Sequence, residues 1–344
     1  MPNRRTPGTG SVQRGELEIL QSIRRRTAGQ VSTGVPLGIG DDCALLRPRP
    51  GEDLAVTTDL SLAGRHFRLE WHPAESVGHR TLARGLSDLA AMGARPLAAF
   101  LSLGLPRDLT RGGGRGGSWL DRFLDGFLAL AQKHKTPLAG GDLAESPVAA
   151  ADIVLIGAVR RRRALLRCGA RVGDTVYVTG ALGGAAAGLA RLSALAAAAR
   201  GRRAVRIPSE LASELEAHLY PQPRLAQGQW LVARQMASAG MDISDGLSTD
   251  LAHLCDESGV AAVIKAGDLP VHAGADLQQA LHGGEDYELL FTARPAARVP
   301  QSIAGVAVTP IGRIVPAEPA KPRVTLVTPQ GERRLAARGW EHFA

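Results

Sequence analysis

The sequence has few cysteines and few aromatic residues. The small number and wide spacing of the cysteines argue against a zinc site and against disulfide bonds. The three cysteines, Cys43, Cys168 and Cys255, lie far apart and form no CxxC pair. They support neither a zinc site nor a disulfide framework, and a reducing, cytoplasmic location is expected. The aromatic share is only 4% in a chain rich in alanine, glycine and arginine. We read that share as a composition bias without functional meaning.

Long apolar runs are also missing. The most apolar helical stretch, about 185–199, is alanine-rich and is interrupted by Arg191. It is too short and too weakly apolar to cross a bilayer, so we expect no contact with a membrane. Residues 1–15 are polar and lack the apolar segment of a signal peptide, and we expect them to form a flexible tail.

Hydrophobic residues make up 44% of the 344 residues, which is enough for real cores and excludes global disorder. The length corresponds to about two domains of about 150 residues each. Predicted strands and helices alternate in both halves, which indicates a mixed α/β architecture. We expect an N-terminal domain over 16–160 and a C-terminal domain over 161–344, joined at a basic, polar stretch.

The excess of 41 Lys and Arg over 33 Asp and Glu gives a net charge of +8, which raises the question of nucleic-acid binding. The basic residues are scattered or sit in short runs such as 24–26 and 160–163, and no basic stripe carries interleaved aromatics. Nucleic acid is therefore not expected as a partner. The glycine-rich segment 111–117 lacks the Gly-Lys-Ser/Thr ending of a P-loop, and we interpret it as a flexible tip.

Acidic residues of this basic chain gather beside glycines, hydroxyl groups and the ends of predicted elements. These clusters are Gly38–Cys43, Thr57–Asp59, Ser87–Asp88, Gly140–Asp142, Asp242–Leu247 and Gly283–Glu288. The second is expected to end a strand, the fourth to follow a short apolar stretch, and the fifth to join a strand to a helix. A helix N-terminus at the fifth would favour a bound phosphate.

Each cluster also has a simpler interpretation. Asp41 and Asp42 can be solvated turn residues, Asp88 can point to solvent, and Ser244 and Asp245 can cap a helix. Taken together, the clusters suit Mg²⁺, which prefers oxygen ligands and is commonly shared with substrate phosphates. The residues alone thus predict a metal-dependent enzyme of phosphate or nucleotide chemistry that has no P-loop, with its substrate left open.

At these positions the sequence resembles the thiamine-monophosphate kinase family over nearly its whole length, from about residue 16 to 343. The matching segments, in order, are GIGDDCALL (38–46), TTDLSLAGRHF (57–67), LSDLAAMGARP (86–96), AGGD (139–142), GDTVYVTG (173–180), MDISDGLSTDL (241–251), GGEDYELLFT (283–292) and GWEHF (339–343). The ordered set is specific, whereas any one member is not. The resemblance implies a two-domain fold like that of aminoimidazole ribonucleotide synthetase, with an N-terminal α/β domain that forms a homodimer and a C-terminal α/β domain. It also implies transfer of the ATP γ-phosphate to thiamine monophosphate with several Mg²⁺ ions.

The resemblance also implies site residues, matched position by position. Metal ligands are implied at Asp42, Thr57, Thr58, Asp59, Asp88, Asp142, Asp242 and Asp245. Nucleotide contacts are implied at Gly141, Asp142, Arg167 and Ser244. Substrate contacts are implied at His66, Glu285 and Trp340. The simpler interpretation of His66 is a surface histidine, and that of Trp340 is a C-terminal packing residue.

No general base is assigned, because the acceptor is a phosphate oxygen that is already ionised at neutral pH. Two alternatives stay open at this point. One is another ATP-dependent enzyme of the same superfamily. One such enzyme carries a reactive cysteine near a glycine-rich N-terminal stretch, another carries a reactive cysteine at its C-terminus, and this chain has neither. The other is a non-catalytic basic nucleic-acid-binding protein, which would have no need of the carboxylates.

Overall fold

The computed structural model describes residues 14–29, 32–112, 117–199, 207–319 and 321–340. Most of the expected tail, and residues 113–116 of the glycine-rich segment, lie outside the described residues. Helices and strands are mixed in both halves of the chain, which confirms the α/β class. None of the helices in the described part combines the length and the apolar character that crossing a lipid bilayer requires.

Eight α-helices and twelve strands occur among the described residues. The helices are α1 Glu16–Thr27, α2 Ala74–Ala91, α3 Trp119–Lys133, α4 Gly184–Ala198, α5 Ala212–Leu219, α6 Leu225–Arg234, α7 Leu247–Ser258 and α8 Leu277–His282. The strands are β1 Glu52–Leu62, β2 Arg95–Leu105, β3 Leu138–Glu145, β4 Ala150–Arg160, β5 Thr175–Thr179, β6 Ala239–Asp242, β7 Val260–Lys265, β8 Leu289–Ala293, β9 Ser302–Ile303, β10 Val306–Pro316, β11 Val324–Thr328 and β12 Gly331–Arg334.

The chain divides into two compact units. The first contains Met1–Arg47, Thr58–Leu82 and Leu97–Leu155. The second contains Pro48–Thr57, Ala83–Pro96 and Ile156–Ala344. The second unit therefore includes the end of α2, with Ser87 and Asp88, together with the C-terminal half of the chain. The single boundary near residue 160 stays a prediction.

The first four strands form a sheet in the order β1-β4-β2-β3, in which β2 and β3 are parallel. In the first unit, α2 and α3 approach so closely that only glycine fits at their contacts. A Cβ on Gly78 would lie 1.9 Å from the carbonyl oxygen of Phe123, and one on Gly126 would lie 1.8 Å from that of Glu75. Helix α3 begins with a capping box between Ser118 and Asp121.

The second unit is built on a sheet in the order β12-β11-β7-β10-β5-β8-β6, with β9 paired to β10. Its core includes Val176, Val178, Leu251, Leu254 and Ile264, all fully buried. Strands β6 and β8 are antiparallel and place Asp242 opposite Leu289. This pairing brings the segment that follows β6 beside the segment that precedes β8, and the candidate site lies there.

One sequence expectation about a strand end is wrong, because Thr57–Asp59 lies inside β1, which continues to Leu62. Gly140–Asp142 follows the apolar stretch as expected, but it lies inside β3, a strand that was not expected. Two adjacent glycines are unusual in a strand. Gly141 has a φ of +152° and lies against β2, where a Cβ on it would be 1.9 Å from the Leu101 carbonyl oxygen. Only glycine allows this close contact between β2 and β3.

Candidate active site

Two aspartates that are far apart in the sequence repel each other in the second unit. Thr57 donates a hydrogen bond from its hydroxyl to Asp88, and Ser87 donates one to Oδ2 of Asp242 at 2.6 Å. Burial raises the pKa of Asp88 to about 6, and the neighbouring Asp242 carboxylate adds to the rise. Burial likewise raises the pKa of Asp242, which is only 4% exposed. Asp88 therefore does not simply point to solvent.

Two arginines of the same unit act on this carboxylate pair. The positive charges of Arg167 and Arg84 both favour the ionised form of Asp88, although burial outweighs them. Arg167 was expected at the nucleotide. Arg84 was missed by the sequence analysis, and the signal for it was its spacing four residues before Asp88, on the same face of α2.

The segment Asp242–Gly246 between β6 and α7 is held by a buried aspartate. Oδ2 of Asp250 accepts the backbone N–H groups of Ser244, Asp245 and Gly246 at 3.1, 3.2 and 3.0 Å. Its Oδ1 is buried and makes no hydrogen bond within the described structure. Burial, followed by the carboxylates of Asp242 and Asp245, raises the pKa of Asp250 to about 8.

This arrangement corrects the simpler interpretation of Ser244 and Asp245. Helix α7 begins at Leu247, and its N-cap residue is Gly246. Ser244 and Asp245 therefore do not occupy the capping position. No local sequence pattern indicates the role of Asp250, because that role depends on the path of the backbone ahead of the helix.

The segment Gly283–Glu288 lies directly against Asp242–Gly246. The N–H of Glu285 donates to the carbonyl oxygen of Ser244 at 2.7 Å, and that of Tyr287 donates to Ile243 at 2.9 Å. Glu285 has a positive φ of 67°, which is uncommon for a residue with a side chain. Its carboxylate lies 3.7 Å from Nδ1 of His218, whose side chain is buried.

Two further carboxylates fix the same segment on the C-terminal side of Glu285. Asp286 accepts the backbone N–H groups of Gly183 and Ala185 at the start of α4, at 2.7 and 3.2 Å. Glu288 pairs with Nε and Nη2 of Arg224 and accepts the Thr179 hydroxyl at 2.6 Å. A carboxylate paired with an arginine in this way is costly to unpair, so the chain that follows Glu285 is firmly held.

A third segment, Arg338–Trp340, reaches the same place from the end of the described chain. The N–H of Trp340 donates to the carbonyl oxygen of Asp245 at 3.1 Å. The Trp340 residue is 52% exposed, so it is not a core packing residue. Ser244, Asp245, Glu285 and Trp340 are thus assembled around the N-terminal end of α7.

The first unit carries the other predicted residues. Gly38 and Ala139 are neighbours, since a Cβ on Gly38 would lie 3.8 Å from Cα of Ala139. The cluster 38–43 is therefore close to the beginning of 139–142, and a pocket of about 150 Å³ lies beside them. Asp42 and Asp142 are exposed at the surface, whereas Asp59 is half-buried in β1.

His66 is half-buried and held in one orientation. Its Nδ1 accepts the backbone N–H of Leu62 at 3.0 Å, and its carbonyl oxygen accepts a bond from Arg80 at 3.2 Å. An accepting Nδ1 places the proton of the neutral ring on Nε2. His66 is therefore not a freely rotating surface histidine.

No group of three or more His, Cys, Asp and Glu side chains is assembled for a metal ion within the described residues. The donor set nevertheless suits Mg²⁺, because Asp88 and Asp242 are carboxylates that repel each other beside the hydroxyl of Thr57. Mg²⁺ commonly takes one or two carboxylates and completes its coordination with water and substrate phosphates.

Family models and relatives identify the chain. The model of the N-terminal domain of AIR synthase related proteins matches residues 40–159, and that of the C-terminal domain matches 171–324. A thiamine-monophosphate kinase of Escherichia coli strain K12 is 40% identical over 292 residues, which is 81% of this chain and 84% of the relative. The chain belongs to the thiamine-monophosphate kinase family.

Solved structures of thiamine-monophosphate kinases agree with this assignment. One from Stenotrophomonas maltophilia K279a is 38% identical, covers 89% of this chain and 94% of its own, and superposes with a TM-score of 0.75. AaThiL complexed with AMPPCP and TMP is 30% identical, covers 96% and 97% of the two chains, and has a TM-score of 0.72. The predicted two-domain fold of this family is confirmed.

Proposed function

We propose that this protein transfers the γ-phosphoryl group of ATP to the phosphate of thiamine monophosphate, giving thiamine diphosphate. The relative AaThiL, which was solved with AMPPCP and TMP, supports both substrates. The observation that carries the proposal is the meeting of three segments at the start of α7. There, Asp245 and Ser244, expected at the metal and the nucleotide, lie beside Glu285 and Trp340, expected at the acceptor.

Several Mg²⁺ ions are proposed as partners of the two substrates. When bound, they neutralise the charge of the phosphate oxygens as the phosphoryl group moves. In the second unit, Thr57, Asp88, Asp242 and Asp245 offer oxygen ligands. Burial, followed by the Asp242 carboxylate, raises the pKa of Asp88, and a bound cation would favour its ionised form. The full proposed ligand set is Asp42, Thr57, Thr58, Asp59, Asp88, Asp142, Asp242 and Asp245.

The remaining residues have positioning roles in the proposal. Arg167 and the backbone at Gly141 bind the nucleotide, with Ser244 and Asp142. The exposed ring of Trp340 suits the cationic thiazolium, since such cation–π contacts are worth about 0.5–2 kcal/mol. Glu285 adds a carboxylate beside the same cation, and His66 can donate from Nε2 to the acceptor. In-line positioning and charge neutralisation suffice, so no side chain serves as general base.

A thermal-shift titration tests the ligand assignment. Mg²⁺ with a non-hydrolysable ATP analogue and thiamine monophosphate should raise the unfolding temperature above the value with Mg²⁺ and the analogue alone, because a ligand that prefers the native state stabilises it. Free thiamine, which lacks the acceptor phosphate, is the control. No added stabilisation by thiamine monophosphate at millimolar concentration would contradict the proposal.

We also propose that the protein is a homodimer that pairs through β1. This strand is at one edge of its sheet, and Leu54, Val56 and Leu60 share one face of it with 48, 60 and 46% exposure. A row of exposed apolar side chains on an edge strand is a common site of association. A twofold dimer would bury this row in both copies.

A further inference from the structure

The exposed ring of Trp340 raises the question of what fixes its position. Its backbone is held at Asp245, and the two residues before it are held by the first turn of α7. The N–H of Gly339 donates to the hydroxyl of Thr249 at 3.0 Å, and that of Arg338 donates to the hydroxyl of Ser248 at 3.4 Å. Three successive backbone groups are therefore bound to one short stretch of chain.

The fit at Gly339 shows that the segment lies in contact with this turn. A Cβ on Gly339 would lie 2.1 Å from the carbonyl oxygen of Asp245 and 2.6 Å from Oγ1 of Thr249. No side chain fits in that space, so the segment has no room to shift toward the helix. The Ser248 hydroxyl also pairs with Nδ1 of His282 at 2.8 Å, just before the segment that carries Glu285.

We infer that Thr249 is a positioning residue for the acceptor, because its hydroxyl anchors the backbone that presents Trp340. The inference rests on the proposed function and extends it to a residue with no expected role in metal or nucleotide binding. Thr249 acts through Gly339 and does not itself touch the substrate. Loosening this anchor therefore weakens binding of thiamine monophosphate and leaves ATP binding largely unchanged.

The test is a double-mutant cycle in the full-length protein with Mg²⁺, ATP and thiamine monophosphate. Thr249→Val keeps the shape and removes the hydroxyl, and the loss of one hydrogen bond corresponds to a rise of about 5-fold in KM for thiamine monophosphate. The KM for ATP should change by less than about 2-fold on the same grounds. Thr249→Ser keeps the hydroxyl and should restore the wild-type KM.

The cycle is completed with Trp340→Ala. Once the ring is gone, adding Thr249→Val should change the KM for thiamine monophosphate no further, since the two residues act as one unit. Thr328→Val, which removes a hydroxyl from the β11–β12 turn, is the matched control for the loss of a threonine hydroxyl.

Independent effects of the two substitutions would overturn the inference, as would an equal rise of both KM values with a lowered unfolding temperature. If Trp340→Ala binds thiamine monophosphate poorly but Thr249→Val has an unchanged KM, the role of Thr249 is refuted while that of Trp340 stands. Failure of the wild-type protein to phosphorylate thiamine monophosphate would instead refute the proposed function.

Discussion

At the scale of single residues, the acidic side chains do not form one uniform set. Asp42 and Asp142 are exposed, Asp59 is half-buried, and Asp242 is almost fully buried beside Asp88. Burial raises the pKa of Asp88 and Asp242, so protons compete with a cation for these two carboxylates at a higher pH than for an ordinary aspartate. The buried pair is the part of the proposed metal set that depends most strongly on pH.

Asp59→Asn should remove most turnover while leaving the fold intact, because it deletes a charge from the proposed metal set. We expect kcat to fall at least about 100-fold, in the range of lost electrostatic stabilisation. Asp53→Asn, on the same strand, is the control, since Asp53 pairs with Arg161 at 3.5 Å and is outside the proposed metal set. Steady-state kinetics measures kcat for both variants. An Asp59→Asn variant with wild-type kcat and the same Mg²⁺ dependence would show that Asp59 is not a metal ligand.

The pH dependence of Mg²⁺–nucleotide binding should reflect Asp88. Its pKa is raised to about 6, so the carboxyl is protonated below that pH and must lose the proton to bind a cation. The contribution of Asp88 to the affinity should therefore level off above pH 7 and should fall by up to about 10-fold per unit below pH 6, for one released proton. Calorimetry in two buffers that differ in ionisation enthalpy measures the proton release. Binding with no proton release at pH 6 would contradict this role.

At the scale of secondary-structure elements, glycine decides where helices and strands can touch. Gly126 of α3 lies against the backbone of Glu75 in α2, and Gly141 of β3 lies against Leu101 in β2. Both contacts leave no space for a methyl group. The second contact fixes β3, which carries Asp142.

Gly126→Ala should destabilise the protein strongly, because its Cβ would lie 1.8 Å from a backbone oxygen that cannot move without its helix. Overpacking of this kind costs about 1–3 kcal/mol or more in the free energy of unfolding. Gly267→Ala is the control, since nothing lies within 4 Å of a Cβ there. Urea denaturation measures both variants, and equal stabilities would show that α2 and α3 separate easily.

The sequence predicted elements well where a local pattern suffices. The sequence alone predicts a helix over 247–258 and a strand over 175–179, and α7 and β5 have these bounds. Apolar periodicity and the glycine at 259 define the helix. Strand β3 was missed because its glycine pair looks like a turn. The roles of Asp250 and Thr249 could not be predicted, because both depend on contacts with backbone outside the local pattern. Asp250 binds the N–H of Ser244 ahead of the helix, and Thr249 binds the N–H of Gly339, which is 90 residues further along the chain.

At the scale of the whole molecule, the carboxylates of the proposed metal set are distributed over the two compact units. Asp42, Asp59 and Asp142 belong to the first unit, and Asp88, Asp242 and Asp245 belong to the second. The net charge of +8 accompanies this collection of carboxylates. It suits two anionic substrates, since a positive overall field attracts phosphate ligands.

The proposed dimer belongs to this scale. Leu54→Arg should place a charge in the exposed apolar row of β1 and convert a dimer into a monomer, because an unpaired buried charge is costly at an interface. Val172→Arg is the control, since Val172 is also largely exposed (57%) and lies outside that row. Light scattering at micromolar concentration gives the mass. A wild-type monomer, or a dimer that Leu54→Arg leaves intact, would refute the β1 interface.

A labelled donor tests phosphoryl transfer from ATP to thiamine monophosphate most directly. The protein is incubated with Mg²⁺, thiamine monophosphate and ATP labelled in its γ-phosphoryl group, and the products are separated and identified by mass. Free thiamine in place of thiamine monophosphate is the control. We expect the label to appear in thiamine diphosphate, in amounts equal to the ADP formed. Label found only in inorganic phosphate, or no consumption of ATP, would contradict the proposed transfer.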